Sequence, residues 1–216
     1  VASRNYLRAE AFAKQYGAPK AFGDYDRLLA DSEIDLVYIA TPHSHHFELA
    51  KACLLAGKHV LLEKPLTVNA AQTEILVRLS QRHERVFQEA LWSRFMPCFE
   101  QVKKWLDNNE IGQLQTIDAQ IGFAFAHLEN HRLTEPALAG GALLDLGVYP
   151  VSISQYLIGG HPCEIQAMTQ FHSTKVDQNV MVNMRYPSGT LSQFTATIGT
   201  ESSNTMTLHG EKGFIQ

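Results

Sequence analysis

Residues 57–66 have the sequence Gly-Lys-His-Val-Leu-Leu-Glu-Lys-Pro-Leu, and the predicted fold is built outward from them. The apolar residues 60–62 predict a short buried strand. Pro65 cannot continue a central ladder, so the strand must end before it. Glu63 and Lys64 are therefore expected where a strand leaves a sheet, and ligands of open α/β sheets bind just outside the carboxyl ends of the strands. For this tripeptide alone, a surface ion pair remains the plainer alternative.

The same alternation of elements extends over the first ninety residues. Apolar residues at helical spacing alternate with short apolar runs, which favours right-handed βαβ units around a parallel sheet. The apolar run 35–40 is expected to be buried on both faces, and the first helix carries Leu7, Ala11, Phe12 and Tyr16 at helical spacing. The predicted strands are 21–22, 35–40, 59–62 and 86–89, and the predicted helices are 5–16, one capped by Asp24, 43–56, and one capped by Asn69.

After a helix over 94–107 the pattern changes. Long alternating runs indicate an antiparallel sheet, residues 126–141 show no clear periodicity, and 186–190 form a hairpin turn. The predicted elements are strand 114–125, helix 142–158, and strands near 164–172, 178–186, 190–198 and 204–209. The fold class is thus a Rossmann-type parallel sheet lacking its N-terminal part, followed by an α+β domain with an open, mostly antiparallel sheet. The predicted domains are 1–93 for dinucleotide binding and 94–216 for substrate binding and dimerisation, truncated at the start and the end of the chain respectively.

Composition excludes several classes of protein. The 216 residues carry a formal net charge of -4, which gives no electrostatic footprint for nucleic acid and no basic patch for a membrane. No apolar run is expected to reach membrane-spanning length. Three widely spaced cysteines suit a reducing compartment with free thiols, so a cytoplasmic location is predicted.

Two polar segments follow predicted strands of the first domain. A dinucleotide-binding sheet usually places a carboxylate after its second strand, whereas an arginine there accommodates the 2′-phosphate of NADP. Ser3 and Arg4 therefore favour NADP over NAD, although Arg4 alone fits an ordinary exposed arginine. The second segment runs from Thr41 and Pro42 into a helix, where backbone N–H groups can hold a phosphate or the nicotinamide ribose.

That second segment also contains His43, His45 and His46, which raises the alternative of a metal-dependent hydrolase. His43 and His46 have no obvious Cys or carboxylate partner at ligand spacing, so no metal is predicted. In the second domain, Asp145 and Tyr149 lie four residues apart and share one helical face. A phenol and a carboxylate near a lysine can share and relay a proton.

Three motifs in this order resemble the Gfo/Idh/MocA family, and the resemblance covers essentially the whole chain. They are Thr-Pro-x-x-x-His at 41–46, Gly-Lys-His-Val-Leu-Leu-Glu-Lys-Pro at 57–65, and Gly-Gly-Ala-Leu-Leu-Asp-Leu-Gly at 140–147. Tyr149 in place of a common histidine, together with the segment 89–97, resembles the branch of dimeric dihydrodiol dehydrogenase and NADP-dependent D-xylose dehydrogenase.

The resemblance implies an NADP-dependent oxidoreductase, with NAD less favoured as the cofactor, acting on a secondary alcohol of a sugar, a polyol or a cyclic trans-diol. Tyr149 would be the acid/base, helped by the cation Lys64, and Asp145 would orient a substrate hydroxyl or hold Lys64. The implied cofactor-binding residues are Ser3, Arg4, Thr41, Pro42, His43, His46, Glu63, Lys64, Trp92 and Arg94. A homodimer or higher oligomer would use the open sheet, with Phe171, Tyr186 and Phe194 as compatible aromatics.

One departure and one alternative remain. The family's Gly-rich turn after the first strand is absent from the sequence, and it is expected upstream of Val1. Without it the affinity for the cofactor would be in doubt, because its backbone N–H groups hold the pyrophosphate. The alternative function is a nucleotide-binding sensor or regulator without turnover.

Overall fold

The computed structural model describes residues 1–127 and 131–216, which form two compact units. The first unit comprises residues 1–41 and 45–89, and the second comprises residues 42–44 and 90–216. Residues 128–130, inside the stretch predicted to lack periodic structure, lie outside the described part.

The first unit is built around a three-stranded parallel sheet. Its strands are β1 (Leu36–Ile39), β2 (His59–Leu62) and β3 (Phe87–Glu89), and β2 lies in the centre. Its helices are α1 (Tyr6–Tyr16), α2 (Tyr25–Leu29), α3 (His46–Leu55) and α4 (Ala70–Arg82). The Asn69 side chain accepts a hydrogen bond from the amide of Gln72 at the start of α4, as a capping residue should. The predicted alternation of strands and helices is confirmed.

The core of this unit lies between the sheet and the helices α3 and α4. Leu54, Leu62 and Leu76 are fully buried there. Cys53 belongs to the same core, and burial raises the pKa of its thiol to about 11. β2 is thus fixed by apolar packing immediately before the Glu63-Lys64-Pro65 turn.

One burial prediction for the first unit is wrong, and the apolar spacing of α1 does not mark a buried face. Leu36 and Tyr38 project from the same face of β1 and are each 53 % exposed, whereas Ile39 on the opposite face is buried, so only one face of this strand is covered. On α1, Leu7 and Phe12 are exposed, and the buried contacts are made by small alanine side chains.

The second unit contains a six-stranded mixed sheet with the order β5-β6-β7-β4-β8-β9. Its strands are β4 (Leu114–Gly122), β5 (Glu164–Phe171), β6 (Asp177–Arg185), β7 (Leu191–Thr197), β8 (Thr205–Gly210) and β9 (Phe214–Ile215). Only the pair β4 and β7 is parallel, so the predicted mostly antiparallel sheet is confirmed. Its helices are α5 (Pro97–Asp107) and α6 (Val148–Ile158).

Short helical turns connect these elements. A 3-10 turn spans Trp92–Phe95, two more span Arg132–Thr134 and Pro136–Leu138, and a π-helical turn spans Leu143–Gly147 directly before α6. The stretch Pro136–Ile158 is long and apolar enough, by length and composition, to cross a membrane, contrary to the expectation from the sequence. Several of its side chains pack in the core of the second unit, as those of a core helix do.

Two of the aromatic residues predicted for an open interface lie in the core instead. Tyr186 is 1 % and Phe194 2 % exposed, and both pack with Val182 and Leu146. Alternation along the strands decides this, because Phe194 pairs with Val182 on the covered face and Gln193 pairs with Asn183 on the other. Phe171 is exposed, at the end of the edge strand β5.

Candidate functional site

The Glu63-Lys64-Pro65 turn follows the central strand of the first unit, where the sequence places it. The amide of Glu63 donates to the carbonyl of Ile39 at 3.0 Å, which extends the ladder one residue beyond β2. The amide of Lys64 then donates to the Glu63 side chain at 3.2 Å, and the Lys64–Pro65 peptide is cis. Lys64 therefore leaves the sheet at the carboxyl end of its middle strand.

Glu63 ties this turn to the neighbouring strand. The Tyr38 hydroxyl on β1 donates to one carboxylate oxygen of Glu63, while the other oxygen accepts from the amide of Lys64. This hydrogen bond, followed by burial, raises the pKa of Tyr38, because the carboxylate stabilises the protonated phenol. The Glu63 carboxylate consequently connects the backbone of the turn, at Lys64, to β1, at Tyr38.

His46 fixes the other side of the same turn. It is fully buried, its Nδ1 lies 2.8 Å from the carbonyl oxygen of Pro65, and its Nε2 lies 2.9 Å from that of Thr41. The amide of Leu66 donates to Glu89 at 2.8 Å. The His46 ring therefore links the backbone after β1 to the backbone after β2, and any part it has in cofactor binding passes through those two segments.

Thr41, Ser3 and Arg4 lie at strand ends of the first unit. The Thr41 hydroxyl is buried and has no hydrogen-bond partner among residues 1–127 and 131–216. An isolated bridge joins Ala2 to Phe22, and the amide of Ser3 donates to the Phe22 carbonyl at 3.1 Å. Arg4 follows on the surface, just before α1 begins.

In the second unit, Asp145 lies in the π-helical turn and is 4 % exposed. Both terminal nitrogens of Arg132 donate to its Oδ1 at 3.1 Å. The Nε2 of His43 lies 3.4 Å from the same oxygen, and its Nδ1 lies 3.0 Å from the Ala139 carbonyl oxygen. A carbonyl oxygen can only accept, so the Nδ1 of His43 carries a hydrogen. Asp145 is thus a buried carboxylate held by a guanidinium and faced by an imidazole.

Tyr149 lies on α6, one turn after Asp145. The indole N–H of Trp92 donates to the Tyr149 hydroxyl oxygen at 3.1 Å, and the two rings meet edge to face at 5.9 Å. In this bond the Tyr149 oxygen is the acceptor, since an indole N–H can only donate. Arg94, two residues after Trp92, also contacts α6, through Ser152 and Tyr156.

The start of this helical segment is supported by Asp177 on β6. Its carboxylate accepts from the amide of Leu143 at 2.6 Å and also from the amide of Ala142. Burial raises the pKa of Asp177, although these amide bonds oppose that rise. A Cβ on Gly141 would lie 2.0 Å from the Asp177 Oδ1, so the second glycine of the Gly-Gly pair leaves room for the carboxylate.

Sequence reasoning missed Arg132, Asp177 and Tyr38. Arg132 and Asp177 reach their partners across 13 and 34 residues of chain, and Tyr38 reaches Glu63 across 25. No local motif signals such pairs. Among the described residues, no group of three or more His, Cys, Asp or Glu side chains is arranged to hold a metal ion.

Comparison with protein families assigns both halves of the chain. Residues 1–91 match an oxidoreductase family with an NAD-binding Rossmann fold, and residues 99–216 match the GFO/IDH/MocA C-terminal domain. The chain belongs to the GFO/IDH/MocA oxidoreductase family. The resemblance noted from the three motifs is therefore confirmed.

Known members of this family are similar over the whole chain. Trans-1,2-dihydrobenzene-1,2-diol dehydrogenase of Bos taurus is 40 % identical over 217 residues, and the human enzyme of the same name is 37 % identical. The chain is covered completely by both, but it spans only 64 % of the length of each.

Solved structures agree on the fold. An aldose–aldose oxidoreductase from Caulobacter crescentus, complexed with glycerol, matches with a TM-score of 0.91 at 25 % identity. The match covers 99 % of this chain and 66 % of the oxidoreductase chain. The 3-ketoreductase KijD10 from Actinomadura kijaniata, in complex with NADP and TDP-benzene, matches with a TM-score of 0.90 at 27 % identity. This match covers 97 % of the present chain and 64 % of the KijD10 chain.

Proposed function

We propose that the protein containing this chain is an NADP-dependent oxidoreductase acting on a secondary alcohol of a sugar, a polyol or a cyclic trans-diol. The observation that carries the proposal is the phenol of Tyr149, held by the Trp92 indole one helical turn after the buried, Arg132-bound Asp145. Support comes from the relatives, which are named as dihydrodiol dehydrogenases, an aldose oxidoreductase and a ketoreductase with NADP bound.

The residues of this chain fit the nicotinamide half of the cofactor. A buried hydroxyl without a partner, as on Thr41, needs an acceptor or donor from elsewhere. Thr41, Pro42, His43, Glu63 and Lys64 would hold this half. His46 would act indirectly, by holding the backbone at Thr41 and Pro65. The sequence also predicts Trp92 and Arg94 as cofactor-binding residues. When bound, an oxidised nicotinamide supplies the acceptor for a hydride.

The adenosine half involves a different part of the first unit. Ser3 and Arg4 would bind the 2′-phosphate, since guanidinium groups recognise phosphate with charge-assisted hydrogen bonds. This favours NADP in preference to NAD. The pyrophosphate would rest on a Gly-rich turn that this sequence does not contain.

The proposed chemistry transfers the proton of the substrate hydroxyl to the protein, coupled to loss of a hydride from the carbon that bears that hydroxyl. Tyr149, as a phenolate, takes the proton of the substrate hydroxyl, and it returns the proton in the reverse direction. Lys64 supplies a cation that favours the negatively charged oxygens of substrate and phenolate. Both terminal nitrogens of Arg132 donate to Asp145, so its proposed role is to orient the substrate hydroxyl while Tyr149 carries the proton.

The remaining expectations are proposals of the same kind. We infer a dinucleotide-binding domain over 1–93 and a substrate-binding and dimerisation domain over 94–216. The open face of the six-stranded sheet would join two copies. Its exposed residues include Met168 and Met181, paired across β5 and β6, among mostly polar neighbours. No nucleic acid or membrane partner is proposed, and the location would be cytoplasmic.

The test is kinetic and uses the full-length protein. Tyr149→Phe and Lys64→Met should each lower kcat by about 10²–10⁴-fold, the usual contribution of a positioned proton-transfer group. Binding of NADPH, followed by its fluorescence, should stay nearly unchanged in both variants. The substrates are aldoses, inositols and trans-dihydrodiols with NADP.

Two outcomes would contradict the proposal. Near-normal kcat in both variants would remove Tyr149 and Lys64 from the chemistry. No turnover across the whole panel, with tight NADPH binding intact, would instead favour a nucleotide-binding sensor.

A further inference from the structure

The segment before α5 contacts one stripe of α6, the helix that carries Tyr149. Trp92 donates to the hydroxyl of Tyr149 at 3.1 Å. Arg94 donates through Nη1 to the Oγ of Ser152 at 3.0 Å, and its guanidinium carbon lies 4.6 Å from the ring centre of Tyr156. Positions 149, 152 and 156 follow the i, i+3, i+7 spacing of a single helical face. The contacts therefore extend along about 10 Å of the helix.

The far end of this stripe is anchored in the core. Tyr156 packs against the cluster formed by Ile153, Leu157, Ile117 and their neighbours. Arg94 stacks on that ring, so its guanidinium is tied to a side chain that packing already holds in place. The Tyr149 end is more open, since Trp92 is 58 % exposed. Arg94 is thus the better-anchored end of this contact. Trp92 is the end that bonds to Tyr149, the proposed proton-transfer residue.

The turn that carries both residues is short and has its own fixed geometry. The amide of Arg94 donates to the Leu91 carbonyl at 3.1 Å, and the amide of Met96 donates to the Ser93 carbonyl at 3.3 Å. Ser93 between them is buried. A displacement of the Arg94 side chain relative to α6 should therefore also displace the Trp92 indole, because both residues belong to this one hydrogen-bonded turn.

We propose that Arg94 is a positioning residue for Tyr149: by stacking on Tyr156 and bonding to Ser152 it holds the Trp92 indole N–H on the Tyr149 hydroxyl. This rests on the proposed role of Tyr149 in proton transfer. It gives Arg94 a function distinct from cofactor contact, the role that its place in the sequence implies. The planar guanidinium matters as well as its charge, because a lysine can bond to Ser152 but cannot stack in the same way.

The first readout needs no turnover. In protein labelled with ¹⁵N at tryptophan, the indole resonance of Trp92 is assigned with Trp92→Phe, and its shift in Tyr149→Phe marks loss of the hydrogen bond. Arg94→Met should move this resonance in the same direction, and Arg94→Lys should move it part of the way. Arg78→Met is the matched control, since Arg78 is an exposed, ion-paired arginine on α4.

The second readout is the division between kcat and KM. Misplacement of a catalytic group by about 1 Å can lower the rate by about 10²-fold, so Arg94→Met should lower kcat by about 10–100-fold with KM for NADP unchanged. Ser152→Ala, which removes only one acceptor, should give a smaller loss in the same direction. It also serves as the second variant if circular dichroism shows that Arg94→Met does not fold.

The outcomes separate this inference from the proposed function. An unmoved Trp92 resonance in Arg94→Met and Ser152→Ala would overturn the inference. A raised KM for NADP with normal kcat would overturn it too, since Arg94 would then contact the cofactor. A wild-type protein without turnover would overturn the proposed function, while the resonance would still decide the position of Trp92.

Discussion

Replacing Gly141 with alanine should destabilise the second unit through one identifiable contact. Gly141 has a φ of +121°, a region that residues with a side chain rarely adopt, and a Cβ there would lie 2.0 Å from the Asp177 Oδ1. The backbone strain costs about 1–3 kcal/mol. Displacing the carboxylate also removes its bond to the amide of Leu143, and loss of such a helix cap costs about 0.5–2 kcal/mol.

The free energy of unfolding should therefore fall by about 1.5–5 kcal/mol, measured by urea denaturation with circular dichroism and tryptophan fluorescence. Gly159→Ala is the matched control. Gly159 also has a positive φ, +83°, but no atom lies within 4 Å of its added Cβ, so only backbone strain is expected. The difference between the two variants isolates the contact with Asp177.

A double-mutant cycle sharpens the test. In an Asp177→Ala background the carboxylate is gone, so Gly141→Ala should cost only the backbone strain. The two substitutions should then show a coupling of about 0.5–3 kcal/mol, as residues in contact do. Equal losses for Gly141→Ala and Gly159→Ala, or a coupling near zero, would refute the claim that Gly141 is needed to seat the Asp177 carboxylate.

Two further predictions concern pH and the cofactor. Burial raises the folded-state pKa of Asp177 above its unfolded value, so its contribution to stability is present below about pH 4 and is lost as pH rises through the raised pKa. The unfolding free energy of wild type minus that of Asp177→Asn should accordingly decrease from pH 4 to pH 7, and an increase would show that the amide bonds outweigh burial. Arg4→Ala should weaken NADPH binding by about tenfold to a hundredfold, the value of a hydrogen bond to a charged group, with little effect on NADH; equal effects on the two nucleotides in fluorescence titrations would exclude Arg4 from the 2′-phosphate site.

The sequence predicts local structure well where one residue type decides it. Asn69 caps α4, Pro65 follows the end of β2, and the turn at 186–190 joins β6 to β7 through the amide of Tyr186 and the carbonyl of Thr190. In each case the deciding interaction lies within a few residues of chain. This is why the strand end bearing Lys64 could be placed from a ten-residue stretch.

Burial was harder to predict, because it depends on which face of a sheet is covered. Phe194 and Gln193 are neighbours on one strand, yet the first is in the core and the second lies on the open face. Moving the register by one residue would exchange them. The sequence of β7 shows the alternation but does not identify the covered face, so Phe194, which is in the core, was considered compatible with the open interface.

The Gly-Gly-Ala-Leu-Leu-Asp motif illustrates the limit for the site itself. The motif identifies Asp145 as a candidate site residue. In the structure, the two glycines of the motif allow other parts of the chain to approach its backbone closely. A Cβ on Gly140 would lie 2.4 Å from the Leu133 carbonyl oxygen, and one on Gly141 would meet Asp177. The close approach at Gly140 brings the chain beside the turn containing Arg132, whose guanidinium holds Asp145. The motif therefore encodes a placement, and the partners that complete it, Arg132 and Asp177, come from parts of the chain that no short pattern connects. For this reason a substitution of Arg132 or Asp177 should disturb the position of the Asp145 carboxylate, as a substitution inside the motif does.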